Sequence, residues 1–212
     1  MSEVAIRAAI VAAAKRLDAA GFMPSKSGNI SVRDGDGFVV TPAALPYALL
    51  TEADLVRVTP DGSAAPGQRR PSSEWRLHQA IYAARPDAQA IVHTHSPKAT
   101  ALSCARRGLP PFHYMILSAG GPDIRCANHA TFGTSALAEN CLQGLQGRRA
   151  VLLANHGAVA IGATLEKAET LAREVENLAG QYLALLAAGL DPVLLTSHEL
   201  DEAADQFRDY GR

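Results

Sequence analysis

The sequence predicts an α/β fold, and three observations predict it. Ala90-Ile91-Val92 and Ala150-Val151-Leu152-Leu153-Ala154 are short apolar runs bounded by turn and cap residues, the pattern of strands buried on both faces. Stretches with apolar residues at helical spacing, Glu3 to Ala20 and Thr164 to Ala188, lie on either side of them. Ser96-Pro97 then follows the first apolar run at once, an N-cap serine ahead of a proline suited to the first helical position. A chain of 212 residues buries roughly 70% of the surface its unfolded form exposes, so residues 1–212 are expected to fold as one domain without disulfides.

The elements follow in order. Ser2 caps the first helix and Gly21 stands just past its end. Ile30 to Arg33 and Phe38 to Thr41 flank Asp34-Gly35-Asp36-Gly37, whose Asp-Gly pairs tolerate the positive φ of a tight hairpin turn. Thr51-Glu52-Ala53-Asp54 opens a short helical turn, Val56 to Thr59 is a short strand, and Asp61 to Pro71 is a loop rich in Gly, Pro and Arg. Ser72-Ser73-Glu74 starts a helix that runs to about Ala84 and stops before Pro86. The strand of Ala90 to Val92 comes next, then a helix from Pro97 to Arg107 closed by Gly108. Pro110 to Phe132 reads as short strands and a functional loop. Thr134 caps another helix, Val159 to Ile161 continues or pairs beside the strand of Ala150 to Ala154, and Thr164 caps the longest helix, which ends at Gly189. A last helix runs from near Ser197 to Arg208 and leaves Tyr210 on the tail.

Composition narrows the function. A formal net charge of -1, with charges scattered along the chain, offers nucleic acid no basic stripe. Apolar stretches are interrupted well before the roughly 18 residues of a membrane span, and Glu3 argues against a secretion signal. The cysteines, Cys104, Cys126 and Cys141, are odd in number and not in a CxxC pattern, so no disulfide framework is expected and the location is read as cytoplasmic.

The chemistry sits in the histidines. His93 and His95 are two residues apart at a strand end, so their imidazoles emerge on one side, and Asn155-His156-Gly157 puts a third imidazole at a second strand end. Three neutral imidazoles suit Zn²⁺, with Co²⁺, Mn²⁺, Ni²⁺ or Fe²⁺ as alternatives, and three protein ligands with an open position describe a catalytic rather than a structural site. Glu74 begins a helix, where the dipole favours a carboxylate, and His78 shares its face one turn on. His78 is therefore a candidate fourth ligand, an acid/base partner, or a supporting core histidine.

Gly28-Asn29-Ile30-Ser31-Val32-Arg33, Thr41-Pro42, Pro71-Ser72-Ser73-Glu74-Trp75-Arg76, His93-Thr94-His95 and Asn155-His156-Gly157 resemble, in order, the motifs of the class II aldolase/adducin-head family. The segments Pro110 to Gly121, Ala130-Thr131-Phe132-Gly133-Thr134, Leu165-Glu166-Lys167-Ala168 and Phe207 to Gly211 are similar to its fuculose-phosphate aldolase branch. The resemblance implies a three-layer α/β/α domain with a central mixed, largely antiparallel sheet flanked by helices. It also implies a homotetramer with active sites between subunits and a zinc-dependent lyase that cleaves a ketose 1-phosphate to dihydroxyacetone phosphate and an aldehyde. His93, His95 and His156 become the zinc ligands, with Glu74 the acid/base and itself able to bind the metal. Tyr114 is implied to exchange a proton with the oxygen of the departing aldehyde, and Tyr210 to reach a neighbouring subunit's site.

Those residue types suit that reaction. Carbon–carbon cleavage leaves an enediolate, and a cation held by uncharged ligands keeps its full charge for the oxygens that carry it. In the branch, the substrate phosphate is held by positions that match Gly28, Asn29, Ser72 and Ser73 here. Lys26 replaces a threonine, however, and Ala43-Ala44 replaces a Thr-Gly pair, so two hydroxyls are exchanged for one ammonium. Lys26 serves a phosphate or a carboxylate as a point charge, or is an ordinary solvated lysine. A decarboxylase, dehydratase or epimerase acting on a carboxylated or unphosphorylated compound is thus the alternative reaction. A non-catalytic interaction module is the alternative class, and intact Glu74, His93, His95 and His156 argue against it.

Overall fold

The computed structural model describes residues 2–65 and 67–209. Among these residues, one mixed sheet is built from β1 (Asn29–Asp34), β2 (Gly37–Val40), β3 (Val56–Val58), β4 (Ala90–Thr94), β5 (Cys126–Ala127), β6 (Ala150–Leu153) and β7 (Gly157–Gly162). The strands lie in the order β3-β2-β1-β4-β7-β6-β5. Every neighbouring pair is antiparallel except β5 and β6. The helices are α1 (Glu3–Ala19), α2 (Trp75–Ala84), α3 (Pro97–Cys104), α4 (Ser135–Gly144), α5 (Leu165–Ala187) and α6 (Ser197–Asp209). None of them is long and apolar enough to cross a membrane.

The pleat divides the core in two. Ala90 and Val92 of β4 pack with Ile10 of α1, Leu102 of α3 and Leu178 of α5, whereas Ile91 packs with Ile81 of α2 and Leu137 of α4. Residues of alternating parity on one strand thus feed opposite helical layers, which gives the expected three-layer sandwich.

Local signals explain most element ends. The Ser2 hydroxyl accepts from the Ala5 N–H at 3.4 Å, Thr134 from Leu137 at 3.3 Å and Thr164 from Lys167 at 3.2 Å. Two expectations need correction at α3. The helix ends at Cys104, not Arg107, because Arg106 turns left-handed (φ 52), with Arg106 N–H bonding Ser103 O and Arg107 N–H bonding Leu102 O. That pair of bonds closes a Schellman end two residues ahead of Gly108. Nor does the Ser96 hydroxyl cap α3. The Glu176 carboxylate of α5 does so, accepting from Lys98 N–H at 3.1 Å and Ala99 N–H at 2.9 Å. The stretch read as short strands and a loop, Pro110 to Phe132, is mainly loop and turn around a six-residue 3-10 helix, Tyr114–Ala119, with two-residue β5 after it, and Gly157–Gly162 is a full strand paired to β6.

Candidate active site

Antiparallel pairing brings the expected residues to one edge of the sheet. Strand β7 runs back between β6 and β4, so the carboxyl ends of β4 and β6 share an edge, and β1 begins there, with Asn29 opposite His93. His156 closes the β6–β7 turn: its N–H bonds Leu153 O at 3.0 Å, and Asn155 takes the left-handed conformation (φ 57) that asparagine tolerates. Gly157 follows because the turn passes close to β4; a Cβ there would stand 2.3 Å from Thr94 O. Replacing Gly157 by Ala should cost about 2–3 kcal/mol, measured by denaturant unfolding, since the atom it meets is backbone.

The three imidazoles converge. Ring centroids are 4.8 to 4.9 Å apart, with mutual tilts of 70 to 87°. His93 Nε2 and His95 Nε2 are 3.1 Å apart, and Glu74 bridges the cluster with Oε2 3.1 Å from His93 Nε2 and Oε1 3.3 Å from His156 Nε2. The His93 ring donates Nδ1–H to Ala158 O at 2.9 Å, which leaves the Nε2 lone pair for a ligand. His93 and Glu74 are buried, and Glu74 Oε1 has no hydrogen-bond partner among the described residues.

Electrostatics readies two of the imidazoles for a cation, whereas at His93 burial, which opposes charge, is outweighed by attraction to and hydrogen bonding with Glu74, which raise its pKa. Burial pushes His95 down to about 3 and His156 down to about 4, helped in each case by neighbouring His93, so both are neutral at pH 7. Burial opposes charge on the Glu74 carboxyl, but attraction to His93 and His156 and the hydrogen bond from Asn29 outweigh it and hold the group well below the usual carboxylate range. The donors fit a divalent metal. Around a tetrahedral ion with Zn–N of about 2.0–2.1 Å, two nitrogens stand ~3.3 Å apart, close to the His93–His95 spacing. Glu74, His93, His95 and His156 form a group whose candidate ligand atoms all lie within 4.8 Å of one another.

The cluster lies in a cleft of about 570 Å³. Lys26, Gly28, Asn29, Ser72 and Ser73 line it, as expected, and so do Ala43 and Ala44. Lys26 (φ 68) and Ala44 (φ 60) both hold left-handed backbone, a conformation costing roughly 1–2 kcal/mol in a residue with a side chain. The glycine that the branch has where Ala44 stands would adopt it freely. Gly28 (φ 75) lets the chain pass β4, since its Cβ would meet His93 O at 2.6 Å. Ser72 Oγ accepts from the Glu74 N–H at 3.3 Å, so that hydroxyl is partly engaged in starting α2. His129 and Phe132 also line the cleft. His129 carried no spacing signal in the sequence, because it reaches the edge only through the pairing of β5 with β6.

One expected residue is elsewhere, and one falls outside the described residues. Tyr114 is 51% exposed at the start of the 3-10 stretch, its ring 6.0 Å from that of Phe207, and does not line this chain's cleft. Tyr210 lies outside the described residues. His78, fully buried, is not in the ligand group; it bonds Asn29 and Ser31 instead.

The profile of the Class II Aldolase and Adducin N-terminal domain matches residues 8–183. The chain is 44% identical over 210 residues to a 5-methylthioribulose-1-phosphate/5-deoxyribulose-1-phosphate aldolase of Rhodospirillum rubrum, spanning 99% of this chain and 94% of that one. It is 46% identical over 192 residues to the L-fuculose phosphate aldolase of Escherichia coli K12, spanning 90% and 88%. A solved L-fuculose 1-phosphate aldolase superposes with a TM-score of 0.92 over 98% of both chains, at 37% identity.

Proposed function

The chain belongs to the class II aldolase and adducin N-terminal domain family, and on that premise we propose that it is a zinc-dependent aldolase cleaving a ketose 1-phosphate to dihydroxyacetone phosphate and an aldehyde. The observation that carries this is the meeting of three imidazole nitrogens and an underbonded carboxylate at one cleft. The same cleft offers an ammonium and small polar groups for an anion. His93, His95 and His156 would hold the ion, with Glu74 beside it. When bound, the ion supplies a Lewis acid that stabilises the negative charge left on the substrate oxygens by carbon–carbon cleavage.

The protein's own groups do the rest. Asn29 Nδ2–H anchors Glu74 Oε2 at 3.0 Å, and Oε1 keeps its hydrogen-bonding capacity for moving a proton at the carbon beside the carbonyl. Lys26 and Ser73 face the phosphate, with Gly28 leaving room for it to approach and Asn29 and Ser72 lining the same cleft. Tyr114, exposed and away from its own chain's cleft, would serve a neighbouring subunit of a homotetramer, as would Tyr210. A cytoplasmic location and one domain over residues 1–212 belong to the same proposal.

A substrate panel tests it. L-Fuculose 1-phosphate, 5-methylthioribulose 1-phosphate and 5-deoxyribulose 1-phosphate, suggested by the relatives' names, are run beside free ketoses and hydroxy acids and scored for aldehyde and CO₂. Aldehyde without CO₂ from a phosphorylated ketose is expected; CO₂ release from an acid would select the decarboxylase that Lys26, Ala43 and Ala44 leave as the second reading. Replacing Lys26 by Ala should raise KM for the phosphorylated ketose at least about tenfold with kcat unchanged, the loss of one charge-assisted contact. An unchanged KM would show that Lys26 does not face the phosphate.

A further inference from the structure

Asn29 and Ser31 are two apart on β1 and share its α2-facing side, while Glu74, His78 and Tyr82 recur every four residues at the start of and along α2. The two faces interlock into one buried chain of hydrogen bonds. Tyr82 OH lies 2.8 Å from Ser31 Oγ, Ser31 Oγ lies 2.6 Å from His78 Nδ1, His78 Nε2 bonds Asn29 Oδ1, and Asn29 Nδ2 lies 3.0 Å from Glu74 Oε2. All five residues are buried, and Phe38 stacks on the His78 ring at 6.4 Å.

The direction of every bond is fixed by its carboxylate end. Ionised Glu74 only accepts, so Asn29 must present its amide nitrogen to Oε2 and its carbonyl to His78. That carbonyl only accepts, so His78 carries its proton on Nε2 and takes the Ser31 hydroxyl proton at Nδ1, and Ser31 in turn accepts from Tyr82. Four donors in series thus point at one carboxylate oxygen. Burial, which pushes His78 down to about 3, keeps the ring neutral, and the Asn29 carbonyl at Nε2 selects this tautomer.

We infer that His78 is a positioning residue for Glu74: its Nε2–H locks the Asn29 amide with the donor toward Oε2, so that Oε1 alone is left to exchange a proton with substrate. This rests on the reading of Glu74 as the proton-transfer group. Without the lock, only the bond to Oε2 orients the Asn29 amide, and its buried carbonyl is left without a donor, so the amide tilts in search of one and draws the carboxylate with it.

The test uses three variants of the full chain. In His78→Gln the amide reaches the place of Nε2 and retains a donor to Asn29; in His78→Asn it reaches only the place of Nδ1, and His78→Leu has neither. With zinc-loaded protein, His78→Asn and His78→Leu should lower kcat for cleavage ten- to a hundredfold with KM within about twofold, and His78→Gln should recover most of it. Crystal structures of the metal-free wild type and His78→Asn should show the Asn29 amide turned or the Glu74 carboxylate displaced in the variant. Wild-type kcat in His78→Asn, or His78→Gln as slow as His78→Leu, would overturn the inference. If no ketose phosphate is cleaved at all, the function proposal falls instead, and the crystallographic arm still decides: Asn29 and Glu74 unmoved in His78→Asn sinks the positioning role, and their displacement upholds it.

Discussion

Removing divalent metal with a chelator is expected to abolish cleavage, by about 10³-fold or more, and stoichiometric zinc to restore it. The size follows from the charge involved. An enediolate formed in a cleft without a cation has Lys26 as the one lysine or arginine among the residues lining it, and loss of several kcal/mol of charge stabilisation is worth a factor of ten for each 1.36 kcal/mol. Metal analysis should find one ion per chain in the native protein. Replacing His95 by Ala should lose both metal and activity while the fold persists, because His95 lies beyond the end of β4 and its side chain belongs to neither core cluster. Full turnover by metal-free protein would remove the Lewis acid from the reaction.

Glu74→Gln should lower kcat by about 10²- to 10⁴-fold while metal content and thermal stability stay close to wild type. The shape is kept, and the amide oxygen of the new side chain still accepts from Asn29 Nδ2, so the buried network survives. An ionised carboxylate, able to accept a proton from the substrate, is lost. Three imidazoles remain to bind the metal, which separates this variant from His95→Ala: one empties the site, and the other leaves it loaded and slow. A kcat within tenfold of wild type would place the proton transfer on another residue, with His129 the next titratable side chain in the cleft.

Much of this site was legible in the sequence because its signals are local. His93 and His95 declare a shared side through the two-residue repeat of a strand, and His156 follows an apolar run of the same kind. The Asp-Gly hairpin, the Ser2, Thr134 and Thr164 caps and the long α5 likewise depend on a few neighbouring residues. What was misread depends on distant ones. Ser96 has every local mark of a cap, yet Glu176, 77 positions beyond Ala99, takes the α3 amides because α5 packs across that end. The position of Tyr114, by contrast, was not legible at all: its 3-10 stretch packs against α6, away from its own chain's cleft.

His78 shows where the division falls. Its spacing from Glu74 announces a common helix face and allows a metal ligand, an acid/base partner or a support; only the packing of α2 on β1 selects the last, by putting Asn29 and Ser31 against the two ring nitrogens. The chain alone determined which segments are strands and helices, which faces are apolar and which three imidazoles lie at strand ends, since backbone periodicity and capping act over one or two turns. The folded molecule decided strand order, the edge those ends share, and what each buried polar atom bonds. Those contacts join residues tens of positions apart, and their geometry exists only once two helical layers close on the sheet.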